Sequence, residues 1–101
     1  MYGRALRKTP PSAEESSQLQ SQGWSASERG FEKEWRFKTE AEAMEFIANA
    51  ARTADSYCHH PDIEISGHLK RVRVSLTSRD AQGQATFRDA RVARAIEDST
   101  R

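Results

Sequence analysis

Apolar and polar residues alternate in two long stretches of the chain, with the two-residue period of a β-strand. Residues 31–37 alternate apolar or long side chains with charged ones, and residues 69–78 alternate Val and Leu with Arg, Ser and Thr. Such a period places the apolar side chains on one face of a sheet and the polar ones on the other. A shorter alternation at 62–65 is predicted to pair antiparallel with 69–78 across a turn at Gly67 and His68.

Three other stretches carry helical signals. The longest runs from about Thr39 to Tyr57, where apolar residues recur three and four positions apart and Thr39 with Glu42 forms a capping pattern. Residues 12–22 open with the same pattern and stop at Gly23. The last helix is predicted to begin near Thr86. Four of its residues, at sequence offsets of 0, 3, 4 and 7, are predicted to lie on the inward face. These positions are Asp89, Val92, Ala93 and Ile96.

The predicted order of elements is helix, strand, strand, helix, strand, strand, helix. This order indicates an α+β fold, with one four-stranded antiparallel sheet and three helices packed on one face. We expect residues 1–9 to be a flexible segment and residues 10–101 to form a single domain. The chain has no apolar run of transmembrane length, no secretory signal and only one cysteine, Cys58. These features favour a cytoplasmic protein without a membrane span.

Charge is divided unevenly along the chain. The formal net charge is only +1, but residues 68–101 carry eight Lys or Arg against four Asp or Glu. The basic part lacks interleaved aromatic residues, which argues against nucleic-acid binding. It could instead favour self-association or an acidic protein partner, and Arg71, Arg73 and Arg91 are candidate partner-binding residues. The plainer alternative is that these arginines lie on solvated faces of a strand and a helix.

The candidate chemistry lies where the longest helix ends, at Cys58-His59-His60-Pro61. Pro61 cannot extend the helix, so the two histidines lie at its exit. Imidazole exchanges protons near neutral pH and could serve general acid/base chemistry on a bound hydroxyl. Two alternatives stay open, since the histidines could cap the negative helix end or, with Cys58 and His68, hold a metal. The chain lacks a second Cys/His pair at zinc spacing, so no metal site is predicted.

Several short motifs along residues 12–98 resemble those of the pterin-4a-carbinolamine dehydratases, which are also known as dimerisation cofactors of a homeodomain transcription factor. The motifs are Gly23-Trp24, Trp35-Arg36-Phe37, His59-His60-Pro61, Gly83, Arg88-Asp89 and the run from Ala93 to Glu97. The resemblance implies the α+β fold described above and a homodimer, with a tetramer as the alternative. It also implies a reaction in which a reduced pterin loses its 4a-hydroxyl as water.

The resemblance further implies site residues. Asp55, His59, His60 and Asp89 match the family's acidic residues and histidine pair, and Trp24 matches a tryptophan near the pterin pocket. These residues would be catalytic, apart from Trp24, which would bind the ligand or, alternatively, pack in the core. No cofactor is implied.

Two positions depart from the family pattern. Leu69 stands where an aromatic residue opens the strand, and Arg79 stands where a third histidine is expected; the His-His-Pro loop also looks about two residues longer. A guanidinium stays charged and cannot replace an imidazole as acid or base, although Arg79 could still contact a ligand. Losing one such group slows a reaction by roughly 10²–10⁴-fold.

These departures predict a degenerate pocket. They are similar to those of a divergent branch that acts as a RuBisCO assembly factor linked to the α-carboxysome. On this hypothesis the partner is the RuBisCO large subunit, and the protein is a chaperone that could associate with the carboxysome. The alternative is an active 4a-hydroxytetrahydrobiopterin dehydratase.

Overall fold

A computed structural model gives the fold of the chain, and the structure describes residues 9–78 and 83–100. Arg79 and all but the last residue of the predicted flexible segment, residues 1–9, therefore lie outside the described residues. The described part contains the predicted three helices and one four-stranded sheet. The elements are α1 (Ala13–Ser21), β1 (Ser25–Ser27), β2 (Gly30–Arg36), α2 (Glu40–Ser56), β3 (Asp62–Ser66), β4 (Arg71–Leu76) and α3 (Phe87–Ser99).

The sheet is antiparallel throughout, in the order β1-β2-β4-β3. The predicted pairing of β3 with β4 is confirmed, with Ile63 opposite Val74. Strand β4 begins at Arg71 rather than at Leu69 as predicted. The reason is that Gly67, His68 and Leu69 all have φ between 59° and 65°, so the backbone still turns there.

The core lies between one face of the sheet and the helices. Strand β4 contributes Val72, Val74 and Leu76 to it, whereas Arg73, between them in sequence, is exposed on the outer face. This is the alternation that the sequence predicts, and it confirms the α+β class with helices on one face. Among the described residues, the buried apolar side chains of the helices are Leu19, Ala43, Phe46, Ala50, Ala54, Ala90, Val92, Ala93 and Ile96.

Capping residues fix where the helices begin. Ser12 and Glu15 form the predicted capping box, and the Thr39 hydroxyl accepts a hydrogen bond from the backbone N–H of Glu42. At the start of α3, the carboxylate of Asp89 accepts from the backbone N–H of Thr86 at 2.8 Å. No helix within residues 9–78 or 83–100 has both the length and the apolarity needed to cross a membrane.

Candidate active site

The C-terminal end of α2 places the two histidines. The backbone N–H of Cys58 donates to the carbonyl of Asp55 at 3.1 Å, and that of His59 donates to the carbonyl of Ala54 at 3.3 Å. Cys58 has φ of 51°, so this is a Schellman motif that reverses the chain after the last helical turn. The reversal brings His59 and His60 to the end of the sheet where β3 begins.

His59 forms a close pair with Asp89. Its Nε2 lies 2.5 Å from Asp89 Oδ1, and the two side chains are 11% and 0% exposed. The resemblance implies that Asp89 is a catalytic residue, and the structure places it behind the ring of His59 rather than among the residues that line the cleft. A carboxylate can only accept, so Nε2 carries a proton, and in the neutral ring Nδ1 keeps its lone pair. A buried aspartate also fixes a histidine base in serine proteases, where it accepts from Nδ1–H and leaves Nε2 as the base.

The other carboxylate oxygen of Asp89 faces the protein interior. Asp89 Oδ2 accepts from the hydroxyl of Ser78 at 2.8 Å and from the backbone N–H of Thr86 at 2.8 Å. All three residues are fully buried. Every partner of this carboxylate is therefore a donor, which is the environment that stabilises a negative charge away from water.

His60 forms a pair of a different kind. Its Nε2 lies 3.0 Å from Asp55 Oδ1, but the side chains are 60% and 79% exposed. An exposed pair of this kind contributes little to stability. The adjacent histidines thus differ in environment, since His59 is held by a buried carboxylate whereas His60 is open to solvent.

Both histidines line one cleft of about 450 Å³. The other lining residues are Cys58, Pro61, Asp62, Ser75 and Thr77. This volume falls within the range of small-molecule sites, and the imidazoles and hydroxyls around it offer both donors and acceptors to a polar ring. No group of three or more His, Cys, Asp or Glu side chains in the described part of the chain could hold a metal ion.

Trp24 and Arg79 are the predicted ligand-binding residues, and of these two the structure describes Trp24 alone. Arg79 lies outside the described residues. Trp24 is 3% exposed, its Nε1–H donates to Glu97 Oε1 at 3.0 Å, and its ring packs edge-on against Trp35 at 5.5 Å. Since Trp24 is not among the residues that line the cleft, its placement favours the alternative of core packing.

The predicted partner-binding arginines already contact residues of their own chain. Arg73 pairs with Glu32 at 3.3 Å and Arg71 lies 3.9 Å from Glu34, both on the outer face of the sheet. Arg91, on α3, stacks over the ring of Phe87 at 5.3 Å. A partner would have to compete with these contacts, and a partner-binding role stays a prediction.

Sequence reasoning missed Ser78, although a signal was present. Ser78 continues the inward register of Val72, Val74 and Leu76, so it is a polar residue at a position that should be apolar. A buried hydroxyl requires a partner, and Asp89 is that partner.

Comparisons with known proteins agree with the fold and show the family. Residues 9–99 match the family described as Pterin 4 alpha carbinolamine dehydratase. A protein of Koribacter versatilis, provisionally named pterin-4-alpha-carbinolamine dehydratase, is 39% identical over 71 residues, which are 70% of this chain and 72% of the relative. One of Opitutus terrae with the same provisional name is 39% identical over 75 residues, 74% and 75% of the two chains.

A solved structure has the same architecture. The crystal structure of a transcriptional coactivator/pterin dehydratase from Brucella melitensis superposes with a TM-score of 0.72, covering 90% of this chain and 98% of that chain. At 23% identity this likeness shows the fold alone. The match over residues 9–99 and the curated relatives carry the assignment: the chain belongs to the pterin-4a-carbinolamine dehydratase family.

Proposed function

We propose that the protein is an active dehydratase of 4a-hydroxytetrahydropterins. The observation that carries this proposal is the 2.5 Å pair of His59 with the buried Asp89, set in a cleft of about 450 Å³. A histidine that a buried carboxylate holds in one tautomer is a preorganised general base rather than a helix cap. The provisional names of the curated relatives support the same reaction.

The reaction requires one proton acceptor and one proton donor. The C4a–O bond breaks, N5 loses its proton, a C4a=N5 double bond forms, and the hydroxyl leaves as water after it gains a proton. Nδ1 of His59 takes the proton from N5, because the Asp89 carboxylate stabilises the imidazolium that results. His60, which is open to solvent, gives its proton to the leaving hydroxyl, and the cycle closes when His59 releases its proton to solvent and His60 takes one up.

The test is the dehydration rate of 4a-hydroxytetrahydrobiopterin with the wild type and with His59→Ala. We expect the wild type to accelerate the reaction and His59→Ala to lower kcat by roughly 10²–10⁴-fold. His68→Asn is the matched control, because His68 lies in the β3–β4 turn and asparagine tolerates its φ of 59°. Equal activity of the two variants would remove His59 from the mechanism.

The degenerate pocket predicted from Arg79 is the competing hypothesis for this site. Arg79 lies outside the described residues, so its effect on the cleft stays a prediction. The two accounts differ in the wild-type rate, because a site that needs a third histidine would be slowed by the same factor as His59→Ala.

The RuBisCO assembly role and the carboxysome association also stay predictions. Of the arginines predicted to form a partner surface, Arg73 and Arg71 are paired with Glu32 and Glu34, and Arg91 stacks over Phe87. Co-expression with the RuBisCO large subunit tests this role, with Arg73→Glu as the variant. The assembly role would replace our proposal if three results came together. The protein would lack dehydratase activity, its co-expression would raise the yield of assembled RuBisCO, and Arg73→Glu would lower that yield.

A further inference from the structure

Ser78 lies just beyond the end of β4, next to the segment that carries Arg79. Its backbone N–H donates to the carbonyl of Gln84 at 3.4 Å, and its carbonyl accepts from the N–H of Gly83 at 3.0 Å. These two bonds hold the backbone of Ser78 against residues 83 and 84. The side chain of Ser78 is fully buried and points at the α3 end of the site.

The hydrogen atoms in this cluster can be assigned by counting donors. Asp89 has only acceptors and Ser78 has one hydroxyl proton, so the 2.8 Å contact places that proton on the Ser78 side, pointing at Asp89 Oδ2. The 2.7 Å contact of Ser78 Oγ with Thr86 Oγ1 then requires Thr86 to donate. The result is a directed chain in which Thr86 donates to Ser78 and Ser78 donates to Asp89.

This series of hydrogen bonds decides which way the carboxylate of Asp89 faces. Oδ2 receives the hydroxyl of Ser78 and the N–H of Thr86, and Oδ1 is left for His59. Without the Ser78 hydroxyl, Oδ2 would keep one close donor, because the hydroxyl of Thr86 lies 3.5 Å away. The carboxylate could then rotate and release the ring of His59.

We infer that Ser78 is a positioning residue of the site, which holds Asp89 so that His59 keeps its proton on Nε2 and its acceptor on Nδ1. The inference rests on the proposed dehydratase function for its kinetic consequence. It predicts that a hydroxyl with no access to substrate controls the proton acceptor. The structural part of the inference, the tautomer of His59, does not depend on turnover.

The experiment measures the ring nitrogens of His59 by ¹⁵N NMR in the full-length protein, with kinetics on the same samples. The wild type should show the Nε2–H tautomer, and Ser78→Ala should shift both nitrogens towards averaged values. Because hydrogen bonds to charged groups are the stronger ones, we expect kcat to fall by about tenfold in Ser78→Ala while KM stays unchanged. Ser78→Thr keeps the hydroxyl and should restore both readouts.

Ser66→Ala is the matched control, because Ser66 is an exposed serine at the end of β3. If Ser78→Ala does not fold, Ser78→Cys keeps the side-chain volume with a weak donor and should show the same tautomer shift. If Ser78→Ala folds and keeps the wild-type pattern of ring nitrogens, the inference is overturned. If only Ser78→Cys folds, the same result in that variant overturns it. Absence of turnover in the wild type overturns the proposed function instead, while the nitrogen pattern still decides the role of Ser78.

Discussion

At the scale of single residues, the backbone of Cys58 determines where the histidines lie. Its φ of 51° is in the left-handed region, which costs a non-glycine residue roughly 1–2 kcal/mol. Glycine is the usual residue at this position of a Schellman motif. The chain therefore accepts local strain at the corner that carries His59 and His60, as is common at functional sites.

Cys58→Gly should relieve this strain. Part of the gain is lost because glycine has more conformational freedom in the unfolded chain, so we expect a net stabilisation of about 0.5–1 kcal/mol. Urea unfolding measures the difference. Cys58→Ala is the control, since it removes the same thiol but keeps the strained backbone, and no advantage of Gly over Ala would contradict the assigned strain.

Asp89→Asn tests the tautomer through substrate turnover. The amide oxygen should stay with the donors Ser78 and Thr86, which turns the amide N–H₂ towards Nε2 of His59 and forces the proton onto Nδ1. We expect kcat to fall by roughly 10²–10⁴-fold. Asp55→Asn alters the exposed pair with His60 and should have a much smaller effect in the same assay. Equal losses would show that burial of the carboxylate is irrelevant.

The His-His-Pro corner is a local pattern that the sequence shows directly, and the resemblance to the family added Asp55 and Asp89, which the structure places beside the two histidines. The sequence did not identify the hydroxyl of Ser78, which meets Asp89 only after β4 and α3 pack together. It left Trp24 either near a ligand or in the core, and the buried acceptor Glu97, far along the chain, receives its indole N–H in the core.

At the scale of elements, one largely buried lysine, Lys33, connects β2 to both terminal helices. Lys33 lies in the inward register of β2, between Phe31 and Trp35, and forms an ion pair with Glu97 of α3. Its ammonium also donates to the carbonyl of Gln22, just after α1, at 2.6 Å and lies 4.8 Å from the ring centre of Trp35. A lysine that faces the helices is satisfied only because acceptors from several elements meet there.

Lys33→Met should therefore be destabilising, because it leaves the largely buried Glu97 without its cation. The expected loss is about 3 kcal/mol of unfolding free energy. Adding Glu97→Gln should restore most of it, since the amide oxygen of glutamine still accepts from the indole of Trp24. Urea unfolding of the single and double variants measures this coupling, and additive losses would contradict it.

Hydrophobic period predicts the helices and the longer strands, because each buries one face. It does not give the bounds of β1, whose three residues, Ser25–Ser27, carry no apolar alternation. Nor does it show that β4 lies between β2 and β3, since both neighbours present the same alternation and only packing selects the order.

At the scale of the whole molecule, the chain exposes several large apolar side chains. They are Met44, Tyr57, Ile65 and Leu69. A small domain gains stability when such side chains are covered by a second copy, and the homodimer expected from the sequence, with a tetramer as the alternative, stays a prediction.

The oligomer is tested by light scattering on a sizing column. We expect a mass of at least twice the 11.4 kDa of one chain at micromolar concentration. The unfolding temperature should also rise with protein concentration, because association stabilises the folded state. A mass of one chain that does not change with concentration would contradict the prediction.

The fold and the family could be read from the sequence because the motifs lie on predicted elements in the family's order. The sequence alone does not show whether the site is active, since that depends on how the cleft works with arginine at position 79. The paired His59 and Asp89 are the reason to expect that proton transfer survives this change.

The most direct measurement is the dehydration rate of 4a-hydroxytetrahydrobiopterin with the purified wild type, beside buffer and an Arg79→His variant. Our account predicts that the wild type is well above the buffer rate, because His59 and His60 supply the two proton transfers. A wild-type rate equal to buffer, together with a rate gained in Arg79→His, would contradict it and establish the degenerate site.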